Sequence, residues 1–290
     1  MRLLPFTLVI GILSLSFCAQ KEAPTPTTPV GTTPTTPTTP TTPTTPTTPT
    51  DTAKKLVWSD EFSKDGAPDS TKWAYNIGTG SNGWGNNEAE YYTSELNNAR
   101  IENGKLVIEA RKESKGGKFY TSARLLTQGK ATWTYGRIEV RAKIPKGVGT
   151  WPAIWMLGDN INTVGWPACG EIDIMEHVGK DLDKMFWSAH SKKLNWTLGT
   201  QQTYSTGING ITNDFHVFKL DWTKESLKFY VDDVLYYTAN NDGRGTDYYP
   251  FVDPQFLILN LAIGGNFGGN TIDDTIFPVR MEVDYVRVYQ

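Results

Sequence analysis

Apolar and polar residues alternate with a period of two along much of the chain from about Lys55 onward. In "RIEVRAKI" (137–144), Ile138, Val140, Ala142 and Ile144 share one face, and Arg137, Glu139, Arg141 and Lys143 share the other. "KLVIEAR" (105–111) puts Leu106, Ile108 and Ala110 together. "LKFYV" runs through Asp232-Asp233 into "VLYYT", the pattern of a hairpin. "FLILNLAI" and "VDYVRVY" read as further strands, and no long segment carries a helical period. Many strands joined by Gly, Asn, Asp and Pro turns predict one all-β domain, an antiparallel two-sheet sandwich. The alternation gives each strand one face toward the core and one toward water or a cleft.

One strand breaks the period. In "GWPACGEIDIMEHVGK" (165–180), Ile172 and Ile174 alternate with Glu171 and Asp173, so the acids should point outward. Strict alternation would then bury Glu176, and an unpaired buried carboxylate is expensive. A β-bulge at about Met175 restores Glu176 to the face of Glu171 and Asp173. The Glu171 and Glu176 Cα atoms would then lie about 13 Å apart along the strand. Side chains leaning together across a concave sheet would bring the carboxyls to about 5–6 Å. That is close to the roughly 5–5.5 Å spacing of retaining glycosidases; inverting enzymes hold a water in a gap of about 6.5–9.5 Å. Asp173 between them adds a fixed charge that helps push the two Glu pKa values apart. Taken alone, the triplet also fits acids that merely solvate an outward strand face.

Composition narrows the classes. The 290 residues carry a formal net charge of -3, without a basic patch, which argues against a nucleic-acid partner. Aromatics make up 12% of the chain, 10 of them Trp, enough both to fill a β core and to offer platforms for sugar rings. The two cysteines are Cys18 and Cys169, and Cys18 lies in the amino-terminal segment, so no intrachain disulfide is expected in the mature domain.

The chain divides into three parts. Residues 1–18 hold one early positive charge and an apolar run too short to span a membrane comfortably, an export signal. Leu15-Ser16-Phe17-Cys18 resembles a bacterial lipoprotein box, which implies lipidation of Cys18 and a membrane anchor at the cell surface. Phe17 departs from the small residue usual there, and ordinary cleavage giving a freely secreted protein is the alternative. Residues 19–53 are a Thr-Thr-Pro-rich linker, expected to be extended and disordered, with a repeat tract reaching about 80–90 Å. Residues 54–290 form the globular domain, expected to act as a monomer.

"GEIDIMEHVG" resembles the active-site strand of family 16 glycoside hydrolases, in the bulged form of laminarinases (endo-β-1,3-glucanases). "LVWSDEF", "GWGNNEAEYYT", "YGRIEVRAKIPKGVGTWPAIWML", "LNLAIGGNFGG" and "MEVDYVRVY" resemble other segments of that family, in order, over about Leu56 to Gln290. The resemblance implies a concanavalin A-like jelly-roll with an open concave cleft for a polysaccharide. It implies Glu171 as nucleophile, Glu176 as acid/base and Asp173 as assisting acid, with no cofactor for catalysis. It makes Trp151 and Trp155 aromatic subsite residues, and Asn86, Arg137 and Trp166 contacts on the non-reducing side. His190, expected on the neighbouring strand, would reach Glu176 or the leaving sugar. For Trp151 and Trp155 plain core packing is the alternative, and for His190 an ordinary strand histidine. One structural Ca²⁺ is implied at Glu61, the Gly104 carbonyl and Asp284, an oxygen set suited to that ion.

Three other functions compete. A jelly-roll can serve a non-catalytic carbohydrate-binding protein, but such a protein has no use for Glu171 and Glu176 on one face. Metal-dependent hydrolysis lacks its motif, since no H-E-x-x-H spacing occurs. Within the family, cleavage of mixed-linkage β-1,3-1,4-glucan or galactan, or transglycosylation, stays open.

Overall fold

The computed structural model describes residues 54–290. The expectations for the export segment, for lipidation at Cys18 and for the Thr-Pro linker fall outside the described residues. Two antiparallel sheets hold nearly all the strands. The first, seven-stranded, runs in the order β12 (Gln202–Gly207), β11 (Lys184–His190), β10 (Glu171–His177), β9 (Thr150–Gly158), β16 (Gln255–Ile263), β7 (Arg124–Leu126), β2 (Ala74–Tyr75). The second, eight-stranded, runs β15 (Val234–Asn240), β14 (Ser226–Val231), β13 (His216–Trp222), β8 (Gly136–Lys143), β17 (Val279–Tyr289), β5 (Lys105–Ala110), β4 (Ala99–Glu102), with β1 (Leu56–Asp60) also on β17. A short parallel pair, β3 (Glu90–Tyr92) and β6 (Tyr120–Ser122), lies outside both. Among the described residues the α-helices are two four-residue turns. The all-β sandwich read from the sequence is what forms.

The core sits between the sheets, and the alternation decides which side chains enter it. Ile138, Val140 and Ala142 of β8 are fully buried, while the residues between them are half-buried on the outer face. Ile172 of β10, Ile154 and Met156 of β9 and Leu220 of β13 join the same cluster. The Asp232-Asp233 turn has both residues at positive φ, 47° and 68°, which suits the right-handed twist of the β14–β15 hairpin.

β10 carries the predicted irregularity. Against β9, Asp173 pairs with Trp155 but Met175 with Ile154, so one residue too many lies on β10. Against β11, the shift falls between Asp173 and Glu176. Ile174 and Met175 are both fully buried in the core, two consecutive residues on one side. Burying both apolar side chains is what drives Glu176 back to the outer face. The cost of an interrupted ladder is offset by two buried hydrophobes, each stabilising by about 1.5–3 kcal/mol.

Candidate active site

The outer face of the seven-stranded sheet is a cleft. Its floor is written in the residues that alternate with the core. β9 contributes Trp151, Ala153 and Trp155, β10 the three acids, β11 Phe186, Ser188 and His190, and β16 Asn260. Register fixes their neighbours. Glu171 lies opposite His190, Asp173 between Trp155 and Ser188, and Glu176 between Ala153 and Phe186.

Each glutamate is held by an indole. Trp166 Nε1 donates to Glu171 Oε2 at 2.8 Å. Trp151 Nε1 donates to Glu176 Oε1 at 3.0 Å. Trp151 is itself nearly buried and packs edge-on to Phe267. An indole is both an apolar wall and a single fixed donor, so it restricts its carboxyl to one rotamer while keeping water off it. His190 Nε2 lies 3.2 Å from Asp173 Oδ2 and 3.8 Å from Glu171 Oε1. The histidine is on the neighbouring strand, as expected, but it faces Asp173 and Glu171 rather than Glu176.

The three acids share one pocket of charge. Burial, then the charge of Asp173, raise Glu171 to about 7, against the pull of His190 and of the Trp166 hydrogen bond. Burial and Asp173 raise Glu176 well above the ordinary glutamate range, and the Trp151 hydrogen bond offsets only part of that. Burial pulls His190 down, but its bond to Asp173 and the charges of Glu171, Asp173 and Glu176 outweigh it, lifting it to about 9. The surroundings therefore favour an imidazolium at His190 beside Asp173 and Glu171, and they favour the proton on Glu176 more than on an ordinary glutamate. The arrangement pairs a carboxylate able to attack with a carboxylic acid able to donate.

A hydrogen-bonded wall lies beyond Trp155. Trp155 Nε1 donates to Asn260 Oδ1 at 2.8 Å, Asn260 Nδ2 to Tyr92 Oη at 3.1 Å, and Tyr92 Oη to Glu88 Oε2 at 2.8 Å. Arg124 is sandwiched between Trp84 and Trp155, 4.8 and 4.7 Å from their ring centroids. Asn86 lines the cleft beside Trp84. Sequence reasoning missed Arg124, Trp84, Glu88 and Asn260. Asn260 left a signal, a lone amide inside the apolar run "FLILNLAI", where a buried polar group needs partners. Arg124 left none, because its strand has only three residues.

Arg137 corrects an expectation. It does point away from Ile138, but β8 belongs to the other sheet, so it faces that sheet's outer surface. There it donates to Asp221 through Nε at 2.8 Å and Nη2 at 3.1 Å, away from the cleft. Arg124 does line the cleft.

The three residues expected to hold calcium lie at one level of the eight-stranded sheet. Asp60 pairs with Val286, so Glu61 follows at the level of Tyr285. Val283 pairs with Leu106, two residues after Gly104. The β17 register shifts between Val283 and Tyr285, at Asp284. Register thus brings Glu61, Gly104 and Asp284 to one level of β17 on the eight-stranded sheet, apart from the cleft. Glu61 accepts from Arg287 at 3.0 and 2.8 Å, and Asp284 from Arg141 at 2.6 Å. Two carboxylates and a carbonyl fit a hard cation, which would exchange with these guanidinium contacts. Among the described residues, Glu171, Asp173 and His190 also lie close enough together to hold a metal ion.

Comparison with known proteins gives the family. Residues 86–287 match the model of glycosyl hydrolases family 16. A beta-glucanase from Rhodothermus marinus is 50% identical over 247 residues, covering 81% of this chain and 85% of that protein. The X-ray structure of the laminarinase from Rhodothermus marinus aligns with a TM-score of 0.79 at 48% identity, covering 82% of this chain and 97% of that one. A variant of SCLam, a non-specific endo-β-1,3(4)-glucanase co-crystallised with 1,3-β-D-cellotriosyl-glucose, aligns with a TM-score of 0.79 at 47% identity, covering 82% and 95%. With its sheets, its bulged acidic strand and this likeness over most of the domain, the chain belongs to glycosyl hydrolases family 16.

Proposed function

We propose that the chain is a retaining, endo-acting β-1,3-glucanase. The observation that carries this is the bulge in β10, which sets Glu171, Asp173 and Glu176 on the cleft face with an indole fixed to each glutamate. In the first step Glu171 attacks the anomeric carbon as Glu176 protonates the leaving oxygen, giving a covalent glycosyl–Glu171 ester. In the second, Glu176 takes a proton from water, which displaces Glu171. Asp173 and His190 touch neither bond. They set the charge around Glu171, and Asp173 helps keep the proton on Glu176. No cofactor enters the reaction.

Laminarin should give mixed short oligosaccharides from the earliest time points. Release of glucose alone from chain ends would contradict the endo reading. Cleavage of mixed-linkage β-1,3-1,4-glucan is the second reading, favoured by the likeness to a non-specific endo-β-1,3(4)-glucanase. Initial rates on laminarin and on barley β-glucan separate the two.

The metal reading is a structural Ca²⁺ at Glu61, Gly104 and Asp284. A ligand that binds only the folded state stabilises it by mass action, about 2.7 kcal/mol at 100 times its Kd. Chelation should therefore lower the melting temperature by several degrees and leave low-temperature activity unchanged. Loss of activity with an unaltered melting point would overturn it. The amino-terminal sequence supports export, with the chain anchored through Cys18 at the cell surface or else secreted; the domain is read as a monomer acting on a polysaccharide. Radiolabelled palmitate incorporation into the wild type and its absence in Cys18→Ala would decide the anchor.

A further inference from the structure

Beyond His190 the chain builds a loop whose purpose is to display one side chain. The 3₁₀ turn Trp196–Leu198 begins after Asn195, which is 2% exposed. Asn195 Oδ1 accepts from Thr197 Oγ1 at 2.6 Å and Leu198 N at 3.3 Å. Its Nδ2 donates to the Ser191 and Lys192 carbonyls at 3.1 and 3.3 Å. Lys193 N ties the loop to the Asp247 carbonyl at 2.9 Å. On this fixed turn Trp196 is 45% exposed, while Trp151 on the cleft floor is 9% exposed.

Trp196 stands at the rim of the cleft, where it lines both halves. One half holds Arg124, Trp84 and Trp155, already rich in aromatics. The other is floored by Ser188, Gln201, Thr203 and Ser205. Ser188 Oγ and Thr203 Oγ1 are 3.1 Å apart; the Thr203 hydroxyl also donates to the Trp187 carbonyl, and both residues line this half together with Trp196. A pyranose ring has hydroxyl edges and an apolar C–H face. It needs hydrogen-bonding groups along one side and a flat apolar surface against the other. Trp196 also lies 6.3 Å from Trp166, the indole that holds Glu171, so the platform continues the wall of the site.

We propose that Trp196 is a substrate-binding residue, stacking on a glucose ring of a β-glucan chain in the half of the cleft floored by Ser188, Thr203 and Ser205. This rests on the β-glucanase reading. Trp196 touches sugar and not the reacting atoms, so its effect should appear only with chains long enough to reach it.

The test is kcat/KM for laminari-oligosaccharides of three to six units, in wild type, Trp196→Ala and Trp196→Phe. Wild-type values should rise with length. In Trp196→Ala the hexamer should lose roughly 10-fold, mainly through KM, with the trimer within about twofold, in keeping with the loss of one stacking contact. Trp196→Phe should restore most of the loss. An equal fall at every length, carried in kcat, would mean that Trp196 acts only by supporting Trp166 and Glu171, and would overturn the proposal. So would no change, or a wild type with no length dependence. A wild type that cleaves none of these chains overturns the β-1,3-glucanase reading instead. The same three proteins on mixed-linkage oligosaccharides of matched lengths then decide Trp196.

Discussion

Glu171→Ala and Glu176→Ala should each lose several orders of magnitude in turnover of polymeric glucan, and they should fail differently. Removing a general acid costs about 10²–10⁴-fold. With Glu176→Ala the loss should shrink on an aryl glycoside whose leaving group needs no proton. The glycosyl-enzyme then forms but waits for a base, and azide should capture it as the β-glycosyl azide. Removing the nucleophile costs at least as much, because no covalent intermediate can form. With Glu171→Ala, azide should occupy the vacated space and give the α-glycosyl azide. Asp173→Asn should lose less than either, since Asp173 acts through its neighbours. The pH profile carries the same assignment. Activity falls as pH drops through the Glu171 value, because the nucleophile must be ionised. It falls as pH rises through the Glu176 value, because the acid must hold its proton. The burial and Asp173 charge that raise both groups place both limbs above the ordinary glutamate range. In Glu176→Ala, on the activated aryl glycoside, the alkaline limb of the glycosylation step should disappear.

The second large effect is expected at His190. Its imidazolium lies 3.2 Å from Asp173 and 3.8 Å from Glu171. It opposes the rise of Glu171 that burial and Asp173 cause. His190→Ala removes that opposition, so Glu171 should hold its proton to a higher pH. On the acidic side, the ionised fraction of Glu171 falls about tenfold for each pH unit by which its pKa rises. We expect His190→Ala to lose roughly 10–100-fold below neutral pH, with partial recovery as pH rises and the acid limb displaced upward. A uniform loss at all pH values, with the limb unmoved, would show that His190 only packs. The same cleft could still bind glucan in that variant, so KM should change less than kcat.

The face of each strand is legible in the sequence. The phase of Ile172, Ile174 and Met175 against three acids is enough to require an irregularity in β10, and the structure places it between Asp173 and Glu176. What alternation does not encode is which sheet a strand joins. It gives Arg137 the correct face of β8 but not the side of the molecule, because that depends on β8 pairing with β13 and β17 rather than β9. Side-chain direction within the cleft is also hidden. The resemblance implies sugar contacts for Trp151, Trp155 and Trp166, but not that they donate hydrogen bonds to Glu176, Asn260 and Glu171. Those contacts arise between residues 5 to 105 positions apart in the chain, and no local pattern specifies them. Trp196 is hidden for a similar reason, since its importance comes from a loop fold organised by Asn195.

The bulge should make Glu171 and Glu176 a nucleophile and acid/base pair across one glycosidic bond. The most direct test is the stereochemistry of the first product. Proton NMR of laminarin hydrolysis, recorded before mutarotation, should show the β-anomer of the new reducing end appearing first and the α-anomer growing in later. An α-anomer formed first would mean direct attack by water and an inverting pair, and would contradict a covalent glycosyl–Glu171 intermediate.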